Sequence, residues 1–258
     1  MKYCPTCQSE FDEDIIRFDL GGTEFMRLDS GRIEVLNTGE SVFIGEGAGE
    51  DDDLANNKNV FIGHLAGTQN TSGSQNIGIG SRALQSNNGS GNLAIGESSM
   101  LSNTTGEDNV AIGVTALREN TEGDDNIAIG NLSLRNNTTG DDNTSIGALN
   151  MRNSTTASKN VSIGKWANYN LTTGGNNTSI GNWANSDLTT GANNVAIGYE
   201  AGSSAPSNTS GNIFLGYQSG SNSTGNNKLY IENSISSTPL IYGEFDNDIL
   251  RTHGTFQI

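Results

Sequence analysis
Between Ser41 and Asn227 one short phrase is repeated eleven times: SVFIG, NVFIG, NIGIG, NLAIG, NVAIG, NIAIG, NTSIG, NVSIG, NTSIG, NVAIG and NIFLG. The closing glycines are Gly45, Gly63, Gly80, Gly96, Gly113, Gly130, Gly147, Gly164, Gly181, Gly198 and Gly216, and the steps from Gly80 to Gly198 run 16, 17, 17, 17, 17, 17 and 17 residues. A fixed period of this size marks an architecture in which each unit stacks on the last, and it outranks any local secondary-structure signal. The chain therefore reads as an all-β solenoid of about eleven rungs. A hydrophobic content of 33% with 34 glycines would suit disorder. A disordered tract, however, has no reason to hold Ile-Gly in register.

Within each phrase, strand alternation puts the residues three and one before the glycine on one face and the residue between them on the other. Val110/Ile112, Ile127/Ile129 and Val195/Ile197 are expected to point inward, with Ala111, Ala128, Ser145 and Ala196 facing away. Pairs such as Ala83-Leu84, Ser99-Met100, Ala116-Leu117 and Ser133-Leu134 suggest a second short strand after the bend. Polar loops follow, where Gly106, Gly123 and Gly140 are expected to supply positive φ. The asparagine four before each glycine forms a column that includes Asn109, Asn126, Asn143, Asn160, Asn177 and Asn194. Stacked asparagines are expected to serve as a structural hydrogen-bonding ladder.

The flanks leave the repeat. Residues 1–14 hold the only cysteines, Cys4 and Cys7, as C-P-T-C, which resembles the first knuckle of a zinc ribbon. Tetrahedral Zn²⁺ needs four ligands and a second CxxC is absent, so the segment reads as a leader with a thiol pair. Residues 15–40 read as a β-meander with turns at Gly21-Gly22 and Ser30-Gly31, closing the first rung. The repeat domain spans 41–227. Residues 228–258 read as a closing β segment or neck, with strands around Leu229–Ile231 and Leu240–Tyr242.

Each rung supplies only about four good apolar side chains, too few to offset the backbone entropy of ordering a rung. Rungs are therefore expected to bury surface against other chains. A net charge of −16 argues against nucleic acid or anionic membrane as a main partner. The sequence has no apolar run of membrane-spanning length and no secretory h-region at its start.

The phrases Asn109–Gly113 and Asn194–Gly198, continuing as GxxA to Ala116 and Ala201, resemble the N-S-V-A-I-G-x-x-A head repeats of trimeric autotransporter adhesins. The form with an N-T-T-G loop resembles repeats of phage and phage-tail-like fibre proteins. The likeness covers about residues 41–227. It implies a parallel, left-handed β-roll, homotrimeric, with β-meander caps at both ends. The implied role is a non-enzymatic adhesive or spacer segment on a virion, phage-tail-like particle or cell surface. Its partners would be sister copies, base-plate or fibre neighbours, and a cell-surface glycan or protein receptor, without membrane insertion. A tailspike-like, glycan-degrading fibre with an inter-subunit carboxylate site is the alternative.

Three groups of residues are candidate sites. Trp166 and Trp183 share one rung position and should stack, with Tyr169 close in sequence, as a surface for a sugar face or receptor patch. Asp108, Asp125 and Asp142 recur in register, and Ca²⁺ would relieve their mutual repulsion. For catalysis the sequence offers only His64 and His253, far apart, and no nucleophile or phosphate-binding motif, so no catalytic residue or cofactor is expected.

Overall fold
The computed structural model describes residues 15–20, 23–29, 32–35, 40–55 and 57–254. Cys4 and Cys7 lie outside these residues. The described chain is all-β, without a helix. Three antiparallel strands come first: β1 (Ile15–Leu20), β2 (Thr23–Asp29) and β3 (Arg32–Val35), with a register shift between Phe18 and Asp19.

Eleven three-residue strands then stack as a β-solenoid: β4 (Val42–Ile44), β5 (Val60–Ile62), β6 (Ile77–Ile79), β7 (Leu93–Ile95), β8 (Val110–Ile112), β9 (Ile127–Ile129), β10 (Thr144–Ile146), β11 (Val161–Ile163), β12 (Thr178–Ile180), β13 (Val195–Ile197) and β14 (Ile213–Leu215). Each pairs in parallel with the next, position for position, and β15 (Lys228–Ile231) continues the ladder. Two antiparallel strands, β16 (Ile241–Glu244) and β17 (Ile249–Thr252), finish the fourteen-stranded sheet.

The inside of the solenoid is the reverse of the expectation. Ala94, Ala111, Ala128 and Ala196, the middle residues, are completely buried, whereas the flanking Val and Ile side chains face outward. Ile77, Ile127, Val161, Ile163 and Ile197 are 37–40% exposed. The physical reason is clearance. A rung closes directly over its own strand, so the interior has room for a large side chain from one side only, which at Leu84, Met100, Leu117, Leu134 and Met151 is the opposite wall.

That opposite wall is not a second strand. After each glycine comes a run of turns in which alternate residues are left-handed: Thr115 and Leu117 have φ of 54° and 51°, Leu132 and Leu134 of 59° and 49°. The fourth residue past the glycine points inward; Leu84, Met100, Leu117, Leu134 and Met151 are fully buried there. Backbone hydrogen bonds tie the wall to both neighbouring rungs. Thr115 N donates to Glu97 O at 2.9 Å, and Leu117 N to Ser133 O at 3.0 Å. The bend glycine has a conformation that other residues avoid, as at Gly113 with φ +137°, where a Cβ would also stand 2.6 Å from Gly130 O.

Gly106, Gly123 and Gly140 differ from expectation as well. The positive φ in these loops belongs to Asp108, Asp125 and Asp142, at 54°, 55° and 57°. The loop glycines are required by close approach: a Cβ on Gly106 would lie 2.5 Å from both Asn103 Oδ1 and Gly123 O.

The interior mixes two chemistries. Where the strand residue is Phe, the wall residue is Gly, as in Phe61/Gly67 and Phe214/Gly220, because the ring occupies the place of a wall side chain. At Ala94, Ala111 and Ala128 the wall residue is Met100, Leu117 and Leu134, whereas Ala196 faces Gly202, which lies against the Phe214 ring of the next rung. At Ser162 and Ser179 the wall residues are Asn168 and Asn185, and Ser145, facing Met151, finds a polar partner in the adjoining Asn150. Ser145 Oγ donates to Asn150 Oδ1 at 2.8 Å, Ser179 Oγ to Asn168 Oδ1 at 3.0 Å, and Asn185 Nδ2 to Ser179 Oγ at 2.8 Å. Ser162 Oγ and Asn168 Nδ2 are buried there without a protein partner.

Candidate functional site
The asparagine column before the strands is buried throughout. Each Oδ1 accepts the backbone N–H of the next rung's asparagine. The distance is 2.9 Å from Asn126 to Asn109, 3.1 Å from both Asn143 to Asn126 and Asn160 to Asn143, and 2.9 Å from Asn177 to Asn160. Asn194 continues the ladder at 3.0 Å, and Lys228 N closes it on Asn212 Oδ1 at 2.9 Å. The Nδ2 groups donate into the loops, Asn109 to Gly123 O and Asn126 to Gly140 O, both at 2.8 Å.

A second asparagine column went unread in the sequence. Asn70, Asn87, Asn103, Asn120 and Asn137 are completely buried. Each amide donates to the one before it, at 2.8 Å from Asn120 to Asn103 and from Asn137 to Asn120. The same Nδ2 groups donate to the loop glycine carbonyls, Asn120 to Gly123 O at 2.8 Å. The signal was available, because these residues also recur every 16 or 17 positions. At the start of the column the Asp52 carboxylate accepts from both Asn59 Nδ2 (2.9 Å) and Asn70 Nδ2 (3.2 Å). A negative group thus meets the donor end of aligned amide dipoles. At residues 171 and 188 the column changes to Leu, in the rungs where the wall carries Asn168 and Asn185. Polar and apolar positions trade places, so the interior stays filled.

On the outside, the tryptophans meet as their spacing predicts. Trp166 and Trp183 have ring centroids 4.2 Å apart with a 40° tilt, and Lys165 Nζ lies 3.9 Å from the Trp166 ring. Both residues sit in the second position after the glycine, with φ of 59° and 63°. Tyr169 belongs to a different column. Its hydroxyl accepts from Arg152 Nη1 at 3.0 Å, and among the described residues it makes no ring contact with either tryptophan. One position nearer the glycine, Tyr199 and Tyr217 stack at 5.5 Å with an 11° interplanar angle, 43% and 46% exposed. Sequence reading passed over this pair because its step is 18 residues.

Beside Trp183 a cleft of about 280 Å³ is lined by Ser186, Asp187, Glu200, Ser203 and Ser204. Glu200 accepts from Gln218 Nε2 at 2.6 Å. A hydrogen bond from the Tyr199 hydroxyl to Glu200, and then the carboxylate's charge, hold that phenol above its ordinary pKa.

Asp108, Asp125 and Asp142 are exposed at their left-handed positions. Their neighbours Asp124 and Asp141 use a carboxylate oxygen to accept backbone N–H groups of the preceding rung, from Glu107 at 2.8 Å and from Asp124 at 2.9 Å. Among the described residues no group of three or more His, Cys, Asp or Glu converges to hold a metal ion. His253 Nδ1 lies 2.7 Å from Pro239 O.

No family model, curated protein or solved structure matches the chain.

Proposed function
We propose that the chain is a non-enzymatic segment of a homotrimeric fibre, a rigid left-handed β-roll that spaces and presents a binding surface. The setting that fits best is a phage tail fibre, contractile-injection-type fibre or cell-surface adhesin, with the antiparallel sheets at the two ends serving as caps. One observation carries this reading. The parallel sheet turns two columns outward: an unbroken one of Ile and Leu from Ile44 to Leu215, and one of Val, Ile and Leu from Val42 to Ile213 interrupted only by Thr144 and Thr178, with Ile44 55% exposed. A lone soluble chain rarely presents so long an apolar strip. Three strips converging on one axis would remove it from water and supply the burial each rung lacks internally. The columns of side chains on the turn wall would then repeat on three outer faces. At about 4.8 Å per rung, eleven rungs make a rod of roughly 50 Å.

Sedimentation equilibrium tests the assembly. The expected mass is three times the 27.1 kDa of one chain. Replacing Ile112, Ile129 and Ile146 together with Glu should abolish it. A folded, monodisperse single chain at micromolar concentration would overturn the proposal.

A further inference from the structure
The tryptophan column stops one rung short of its own geometry. The second position after the bend glycine carries Trp166, Trp183, then Glu200 and Gln218 in successive rungs. Glu200 has the same left-handed backbone as the tryptophans, φ 54° against 59° and 63°. Its side chain is turned to Gln218 Nε2 at 2.6 Å and reaches no further along the column. The cleft of about 280 Å³ opens in that place, beside Trp183 on the side away from Trp166. It has the size of one six-membered ring with its substituents.

We propose that this cleft is a subsite for a neutral pyranose, whose ring takes the position of a third aromatic. The chemistry of the lining selects the class. An indole beside the cleft suits the C–H face of a sugar. The Asp187 and Glu200 carboxylates accept hydrogen bonds from vicinal hydroxyls, and Ser186, Ser203 and Ser204 both donate and accept. Two carboxylates on a chain of net charge −16 disfavour sialic and uronic acids. Lys165, the nearby cation, is engaged with the other tryptophan, 3.9 Å from the Trp166 ring. The inference deepens the fibre reading and rests on its premise that the turn wall faces solvent.

Trp166 and Trp183 are the only tryptophans, so the full chain gives two indole N–H resonances, assignable with Trp166→Phe. Titration with methyl α-D-glucopyranoside and methyl β-D-galactopyranoside should move the Trp183 signal saturably at about millimolar concentration. N-acetylneuraminic acid should leave it in place. Trp183→Ala and Asp187→Asn should each weaken pyranoside binding by about tenfold or more. Glu200→Trp should extend the stack, keep the fold and close the subsite, which guards against loss through misfolding. A Trp183 signal unmoved by both pyranosides overturns the inference. So does a shift produced by tetramethylammonium but by neither sugar, or undiminished binding in Glu200→Trp. Native mass on the same samples separates the two ideas. A trimer that ignores sugars loses the subsite alone, and a monomer that binds them loses the fibre alone.

Discussion
Ala111 and Leu117 share one interior space, and what one side chain leaves free the other fills. The two residues are six apart, as are Phe61 and Gly67, Phe214 and Gly220, and Ser179 and Asn185. Ala111→Phe alone should overpack the interior and cost about 1–3 kcal/mol. Leu117→Gly alone should leave a cavity and cost about 2–5 kcal/mol. The left-handed φ of 51° at that position spares the glycine a backbone penalty. Together they rebuild the Phe61/Gly67 arrangement, so urea unfolding of the double variant should show a favourable coupling of about 0.5–3 kcal/mol. Additive losses would mean that the rungs do not share this rule. Asn120 makes a different demand. Its removal as Asn120→Ala strands buried partners on Asn103, Asn137 and Gly123, with an expected loss of about 1–3 kcal/mol per group left unpaired in the same assay.

The strand, the wall and the terminal hairpins differ in how far they could be read beforehand. The Ile-Gly period gave the number of rungs, and alternation gave which residues share a face. Alternation has no sign, however, and the larger Val and Ile side chains were assigned to the interior by the usual preference for burying bulk. The narrow rung reverses that preference. The wall was unreadable because Leu, Thr and Trp at left-handed φ run against their intrinsic tendencies, so no propensity argument would place them there. Trp166 and Trp183 were legible through their 17-residue spacing, whereas the cleft beside them depends on Ser203 and Ser204 of the next rung. At the C-terminal strands the electrostatics are specific. Tyr242 Oη donates to Glu244 Oε1 at 2.7 Å and Asn247 Nδ2 to Oε2 at 2.6 Å, with Lys228 Nζ 3.5 Å away. These contacts, the tyrosine's first, hold the Glu244 carboxyl down at about 2 from a usual 4.5. A depressed carboxylate stabilises the fold above its unfolded pKa and loses that contribution as pH falls through the folded one. Amide exchange across β15–β17 should therefore accelerate between pH 4.5 and about 2, and Glu244→Gln should remove that dependence. Burial, followed by the Glu244 hydrogen bond, raises the Tyr242 phenol to about 12 from 10.0. The same strands should loosen as pH rises through that interval, because the unfolded chain ionises first.

The whole molecule joins an interior packed and laddered by its own side chains, apart from a few buried atoms such as Ser162 Oγ and Asn168 Nδ2, to one outer face left apolar. Two asparagine ladders, paired cores and close-fitting glycines hold the rungs in register, yet the strand face carries an apolar column for its full length, from Ile44 to Leu215. In the proposed fibre, sister copies would resolve that imbalance and would leave the turn wall, with its tryptophans and tyrosines, as the surface available to a ligand. The most direct test reads the strand face itself. Isoleucine and leucine δ-methyl relaxation would be recorded in the full chain with a soluble paramagnetic agent, taking buried Leu134 as the internal standard. The account predicts that the methyls of Ile112, Ile129 and Ile146 are shielded as well as those of Leu134. Relaxation of Ile129 at the rate of a freely exposed side chain, with the strands still formed, would contradict it.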